Sequence, residues 1–323
     1  MESMSPKVSV IMPAYNTAGL IAKSLDSVLQ QTFQDFEIIV VNDGSPDTPQ
    51  LEQALAPYLQ KIVYIKQENK RAAGARNTAI GRARGEFLAF LDSDDLWLPD
   101  HLAGQMKLFE ADPSLGLVYC DCFMYSDPAR SERFMQQCPS EGEATFETLI
   151  TEQCQIPVST VVARKTAIVE AGLFDQGLAR CDDYDMWLRT AFHGAKIAYS
   201  RQVQVRVNEG RPGSLGVSNA RMVEAQWIIL EKTRKTLPLS DAERKLVDGK
   251  TAEIRARYVV EEGKVALREG RFGDAKTMLR EANASFPRLK LGLILLGLNT
   301  APHLTRKVVD FGLRKRAQRR RRD

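Results

Sequence analysis

Two unbroken apolar runs, Ile38–Val41 and Phe87–Leu91, set the strongest limit on how this chain folds. A strand with one wet face alternates apolar and polar residues. An unbroken run closed at once by turn residues belongs to a strand covered on both sides. The first run ends in Asn42-Asp43-Gly44 and the second in Asp92-Ser93-Asp94-Asp95. Around them, strand and helix patterns alternate. "KVSVIMPAYN" reads as a strand running into a loop. In "AGLIAKSLDSVLQQ", Ile21, Leu25, Val28 and Leu29 share one helical face, with Leu20 at its edge. "KIVYIKQ" is a further strand, and "AAGARNTAIGRARG" is a short helix closed by Gly85. "PDHLAGQMKLFEAD" is a helix with Pro99 at its start, and "LGLVYCDCFMY" is another strand. This order predicts an α/β fold, a mixed and mostly parallel sheet flanked by helices. Ligands of such sheets bind beyond the carboxyl ends of the strands, so Asp43 and the Asp92–Asp95 cluster are expected in one crevice.

The second half is less regular. "VSTVVARKTAIVEAG" reads as a strand and a short helix, and "CDDYDMWLRTAFHGAKIAYS" as a helix followed by a strand. In that helix Met186, Leu188 and Phe192 are the apolar positions. "NEGRPGSLGVSN" is a Gly/Ser-rich stretch and a domain edge. "KVALREGRFGDAKTMLREANASFP" reads as a helical hairpin turning at Gly270 and resembles a single tetratricopeptide-type unit. The expected organisation is a domain over 1–215, a helical region over 216–288 and an apolar, basic tail over 289–323. The 323 residues have room for that. Five irregularly spaced cysteines and no apolar signal core in "MESMSPKVSV" favour a reducing, cytoplasmic setting. Cys120 and Cys122 lack a second close pair and a nearby His, which argues against zinc.

The Asp cluster admits two readings. Carboxylates one residue apart at a strand end suit a hard divalent cation, Mn²⁺ or Mg²⁺, that also meets substrate phosphates. Acidic residues also favour the start of a helix. Three of them are more than a cap needs.

The segments "VSVIMPAYN", "FEIIVVNDGSPD", "ENKRAAGARNTAIGRARGEFLAFLDSDDLWLP" and "LARCDDYDMWLRTAFHGAKIAYS" follow one another in an order that resembles a family 2 glycosyltransferase. The resemblance covers roughly residues 6–215 and implies the GT-A fold, a Rossmann-like sheet followed here by a helical C-terminal region. It also implies an inverting enzyme of polysaccharide biosynthesis, using a nucleotide-sugar donor (a UDP-sugar) and a glycan or lipid-linked acceptor. By position, it implies that Pro13, Ala14 and Tyr15 line the nucleotide pocket and that Asp43 bonds the base; a tight turn at Asn42-Asp43-Gly44 is the plainer reading. Asp92-Ser93-Asp94 matches the Asp-x-Asp motif. Asp94 is the expected metal ligand, and Asp92 is expected on the sugar or ribose side and as a second ligand. Asp95 is expected only to cap the next helix. Lys70, Arg71 and Arg76 lie where diphosphate charge needs balancing, Arg76 being the nucleotide-binding candidate, against a plain solvated face.

The stretch Cys181-Asp182-Asp183 resembles the family's Glu-Asp motif, with Asp182 in place of Glu. Asp183 is then the general base, with Asp182 the next candidate, against a structural role at a helix start. Trp187 reads as core or as acceptor-pocket wall. The sequence departs from the family at Asn208 and Arg211, near Gly213-Ser214, where many relatives carry a His. Of the three histidines, none has metal-ligand spacing, and His193 reads as a helix end. Rival functions are a nucleotidyltransferase, whose Gly-rich basic loop "PAYNTAGL" does not supply, and a non-catalytic nucleotide-sugar-binding module, disfavoured by Asp43, Asp94 and Asp183.

From Arg306 to Asp323 there are nine Lys/Arg and two Asp, while the whole chain carries only +4, so the body is mildly acidic. "LKLGLILLGL" is too short to span a membrane. Leu304, Val308 and Phe311, set among basic residues, predict an amphipathic helix on an anionic membrane surface, peripheral at its inner face. Disorder and partner docking are the rival readings, and no nucleic acid is expected.

Overall fold

The computed structural model describes residues 5–127, 130–208, 219–287 and 289–319. They form two compact units, 1–217 and 218–323.

The first unit is α/β. In order it contains β1 (Val8–Ala14), α1 (Ile21–Leu29), β2 (Phe36–Asp43), α2 (Thr48–Leu55), β3 (Val63–Gln67), α3 (Arg71–Arg82), β4 (Phe87–Phe90) and β5 (Leu96–Trp97). Then come α4 (His101–Ala111), β6 (Leu115–Asp127), β7 (Arg130–Arg133), α5 (Phe134–Gln137), α6 (Phe146–Ile150), β8 (Val162–Arg164), α7 (Lys165–Glu170), α8 (Asp182–Phe192) and β9 (Lys196–Asn208). Among the described residues the strands make one sheet in the order β3-β2-β1-β4-β8-β6-β9-β5, with β7 on β6. Pairing is parallel across β3-β2-β1-β4 and between β6 and β9. It is antiparallel where β8 joins β4 and β6 and where β5 joins β9.

The unbroken apolar runs sit where both faces are covered. Ile38, Ile39, Val40 and Val41 of β2 and Phe87, Leu88, Ala89 and Phe90 of β4 are all buried. Each larger side chain among them contributes about 1.5–3 kcal/mol by leaving water. On α1, Ile21, Leu25 and Val28 complete the same core. The register pairs Ala14 with Asn42, Asn42 with Lys66 and Ile11 with Phe90. The ends of β1, β2 and β4 therefore open on one edge of the sheet.

The second unit is helical: α9 (Asn219–Thr236), α10 (Asp241–Arg268), α11 (Phe272–Ser285), α12 (Leu289–Thr300) and α13 (Pro302–Arg319). Ser240 starts α10 with a capping box. Its hydroxyl accepts from Glu243 N–H, and the Glu243 carboxylate accepts from Ser240 N–H at 2.8 Å. The hairpin turns at Gly270, φ 81°, as its sequence suggests, but its first arm begins far earlier than Lys264, because α10 runs 28 residues. Ala266, Leu267, Ala275, Leu279, Leu291 and Leu298 form the core of this unit.

Candidate active site

β1 carries Pro13 and Ala14 to the sheet edge, where Ala14 is buried and Tyr15, just beyond, is 47% exposed. The chain turns at Asn16, φ 55°, and the turn is tied to the loop after β2. Asn16 N–H donates to Ser45 Oγ at 2.6 Å, and Ala18 N–H to Asp47 Oδ2 at 2.9 Å. In Asn42-Asp43-Gly44 the labour is divided. Asn42 Oδ1 accepts from Ser45 N–H at 3.0 Å and closes the turn. Gly44 takes φ 61°, and a Cβ there would stand 2.7 Å from Asn69 N. The buried Asp43 carboxylate is engaged elsewhere. Its Oδ1 accepts from Gln67 Nε2 at 2.7 Å and from Lys70 N–H at 2.8 Å. Lys70 thus contributes backbone to Asp43, while its side chain and that of Arg71 are exposed.

Arg76 is not on a solvated face. It lies on the buried side of α3, 4% exposed. Its Nη2 meets Asp92 Oδ1 at 2.7 Å and its Nη1 meets Asp182 Oδ2 at 2.6 Å. The guanidinium also lies 5.5 Å from the Phe174 ring centre. Burial works against its charge, but Asp92, Asp182 and Asp183 outweigh burial and hold it protonated more firmly than a free arginine. The nucleotide-contacting role expected of Arg76 meets a different arrangement here, since both terminal nitrogens already bind carboxylates.

The Asp cluster after β4 is distributed among three surroundings. Asp92 goes to Arg76. Ser93 is buried and donates to Thr17 Oγ1 at 3.0 Å, which ties this turn to the loop after β1. Asp95 corrects the capping expectation. The next helix, α4, has Asp100 at its cap position, whereas Asp95 is buried. Asp95 Oδ2 accepts from Ser159 Oγ at 2.5 Å, and Oδ1 accepts from Asn208 N–H at 2.8 Å. Burial, then the charges of Asp94 and Asp92, pushes its carboxyl well above the usual range. Ser159 is a hub that sequence reasoning missed. Its hydroxyl also accepts from Asp92 N–H at 3.1 Å, and its carbonyl accepts from Trp97 Nε1 at 2.8 Å. Nothing in "IPVST" marks it. Asp94 stands between these two anchored aspartates, half-buried. Tyr125 of β6 senses the cluster: burial, then Asp95 and Asp94, raises its hydroxyl pKa.

α8 begins immediately after Cys181, whose φ of 53° is left-handed, a conformation costly for a side-chain-bearing residue. Asp182 and Asp183 follow in the first turn, where the helix dipole favours negative charge. Asp182 is buried on Arg76. Asp183 is partly exposed, and its Oδ1 accepts from Tyr184 N–H at 2.9 Å. Burial and the neighbouring Asp182 charge push it up to about 6, against the pull of Arg76 and of that N–H. A carboxylate poised near neutrality can take a proton from a hydroxyl.

The family described as glycosyl transferase family 2 matches residues 9–169. An Escherichia coli protein, UDP-Glc:alpha-D-GlcNAc-diphosphoundecaprenol beta-1,3-glucosyltransferase WfgD, is 31% identical over 181 residues, 56% of this chain and 68% of its own length. The chain belongs to glycosyltransferase family 2. Two solved structures share the fold of this glycosyltransferase. One is S. aureus TarS 1-349 in complex with UDP-GlcNAc, TM-score 0.60 at 17% identity, covering 96% of this chain and 92% of that one. The other is the Pyrobaculum calidifontis mannosyltransferase PcManGT in complex with GDP-Man and Mn²⁺, TM-score 0.60 at 21% identity, covering 94% and 84%. The architecture is accordingly GT-A, with a helical C-terminal region, and the family match sets the nucleotidyltransferase alternative aside.

Other candidate residues of the glycosyltransferase find plainer places. Trp187 is core: it packs edge-on to Phe90 at 5.8 Å and Phe174 at 6.0 Å, and its Nε1 donates to Ile156 O at 3.2 Å. His101 is buried beside Cys120 Sγ at 3.7 Å, and burial lowers its pKa to about 3. His193 ends α8, and His303 packs on Phe272. Cys120 and Cys154 are buried free thiols. Arg211 and Gly213-Ser214 lie outside the described residues.

Proposed function

We propose that this glycosyltransferase transfers a sugar from a nucleotide-diphosphate donor, a UDP-sugar, to a hydroxyl of a glycan or lipid-linked acceptor in polysaccharide assembly, with inversion at the anomeric carbon. The observation that carries it is the Asp92–Arg76–Asp182 triad. It ties the turn after β4 to the start of α8, so the Asp-x-Asp motif and Asp183 belong to one charged cluster. The E. coli relative is named for UDP-Glc and the S. aureus structure holds UDP-GlcNAc, which supports the donor class; the undecaprenol in the former name supports a lipid-linked acceptor.

In this reading Pro13, Ala14 and Tyr15 line the nucleotide pocket, Asp43 bonds the base, and Asp92 and Ser93 sit on the ribose or sugar side. Asp183 accepts the acceptor's hydroxyl proton as that oxygen bonds the anomeric carbon. The bond to the diphosphate oxygen breaks and the nucleotide diphosphate departs with the electron pair. Arg76 fixes both carboxylates it touches.

Among the described residues no group of three His, Cys, Asp or Glu could hold a metal ion. The chemistry of Asp94 and Asp92 still fits Mn²⁺ or Mg²⁺, because such ions take one or two carboxylates and complete their shell with substrate phosphates and water. The Mn²⁺ in PcManGT supports this. Bound there, the cation neutralises charge on the departing diphosphate.

The catalytic domain in this reading is 1–215, with 216–288 and 289–323 as accessory regions. The setting is cytoplasmic, at the inner face of a membrane. Among the described residues no helix is long and apolar enough to cross one.

Thermal melting with UDP, GDP, CMP or dTDP, each with and without Mn²⁺, tests the reading. A nucleotide at a hundred times its Kd adds about 2.7 kcal/mol to the folded state. The expected result is a rise with UDP, larger with Mn²⁺ and lost in Asp94→Ala. No rise with any nucleotide, or a rise indifferent to both Mn²⁺ and Asp94, overturns it.

A further inference from the structure

Helices α12 and α13 are joined through Ala301 alone. Leu291 and Leu298 of α12 fill the core of the helical unit. Ile294 and Leu295 of α12 and Val309 of α13 pack against that core, but a second set of apolar side chains faces outward. Leu289, Leu293 and Leu296 on α12 recur at i, i+4 and i+7, and Leu304, Val308 and Phe311 on α13 repeat that spacing. Such spacing lines up one face of a helix. All six side chains are between 60% and 84% exposed. They are six of the eleven large apolar side chains exposed among the described residues, gathered in one short segment. A water-soluble surface rarely gathers them in this way without something to cover them.

Charge decides what covers them. Lys290 and Lys307 are exposed beside the stripes. The segment from Arg306 to Asp323 carries nine Lys/Arg against two Asp. A second copy of the chain seated on the stripes would bring two such segments together, like charge to like. An anionic bilayer has the opposite sign at its surface and apolar chains just beneath it. α12 has 12 residues, about 18 Å at 1.5 Å per residue, well short of the roughly 30 Å of a hydrocarbon core. α13 is interrupted by cations along its length. Neither helix spans, so the contact is in-plane.

We propose that α12 and α13 dock on an anionic lipid bilayer, lying along its surface with Leu289, Leu293, Leu296, Leu304, Val308 and Phe311 set into the boundary between headgroups and acyl chains. Docking deepens the reading of a lipid-linked acceptor, which gives it a use, but it is tested independently of catalysis.

The test is flotation of the full chain with vesicles of phosphatidylcholine containing phosphatidylglycerol, and with phosphatidylcholine alone. The expected result is flotation with the anionic vesicles only. The variant Leu304→Ser/Val308→Ser/Phe311→Ser should partition at least about tenfold more weakly while melting as the parent does, because its changes are on the surface. In the parent background, Phe311→Trp should show blue-shifted emission on vesicles and quenching by brominated lipids. Three outcomes overturn the proposal: no flotation, equal flotation of parent and serine variant (a purely electrostatic tail), or self-association in sedimentation that the serine variant abolishes. Donor hydrolysis measured on the same samples reports separately on the catalytic reading.

Discussion

In the α/β unit, Arg76, Asp95, Asp182 and Asp185 are largely out of water, and each is matched: Arg76 with two carboxylates, Asp185 with Arg189 at 2.7 Å, and Asp95, pushed toward its neutral form, with hydrogen-bond donors from Ser159 and Asn208 N–H. In the helical unit the pattern is inverted. Ion pairs such as Arg271 with Glu269 and Asp274 are on the surface, and beside its buried core six large apolar side chains of α12 and α13 are exposed. Taking charges out of water is expensive, and a well-packed apolar core is often as stable. Buried ions at a strand edge therefore mark a place where position of charge matters more than stability. Exposed leucines mark a place where the folded chain alone does not complete the surface.

The comparison breaks most visibly at Asp183. Asp183→Asn should lower transfer by about 10²- to 10⁴-fold, the usual contribution of a positioned base, while UDP still raises the melting temperature. Transfer that survives in the variant removes Asp183 as the base.

A paired substitution sharpens it next. Arg76→Met leaves two carboxylates without their cation and should cost about 3–5 kcal/mol, read as a large fall in melting temperature. Arg271→Met, in an exposed pair on the other unit, should leave the melting temperature unchanged. Equal effects would erase the contrast between the units.

The smallest effect concerns pH. Asp183 is raised to about 6 in the folded state, above an unfolded aspartate near 3.9. Its protonated form is favoured by folding, so this stabilisation is complete at low pH and is lost as pH rises through about 6. Asp183→Asn should therefore melt higher than the parent at pH 8, by about 2–4 °C for each kcal/mol relieved, with the gap closing toward pH 4. The parent's transfer rate should rise through pH 6. A gap that does not change with pH removes the burial account of Asp183.

Much of this was legible in the chain. The runs at Ile38–Val41 and Phe87–Leu91 announce strands covered on both faces because periodicity reports burial directly. The turn at Asn42-Asp43-Gly44 is equally plain, since a left-handed residue calls for glycine. Asp94 and Asp183 are singled out by motif order. Arg76 is singled out as a nucleotide contact, but its burial between two carboxylates is not legible, because basic residues near a helix start are usually solvated, and its partner Asp182 is 106 residues away. The anchoring of Asp95 depends on Ser159 and on the backbone of Asn208, and a backbone donor has no signature in residue type. The length of α10 escaped because much of its face is polar and only the hairpin at Gly270 has a clear pattern.

Arg76, Asp92 and Asp182 stand 16 and 106 residues apart yet share a single cation. Loss of Arg76 strands both carboxylates, and loss of either carboxylate leaves the buried guanidinium half-paired, so none can drift alone. Across a lineage they should behave as one character, kept whole or replaced together. A relative in which just one has been exchanged for an apolar residue would mark a protein whose chemistry has moved elsewhere.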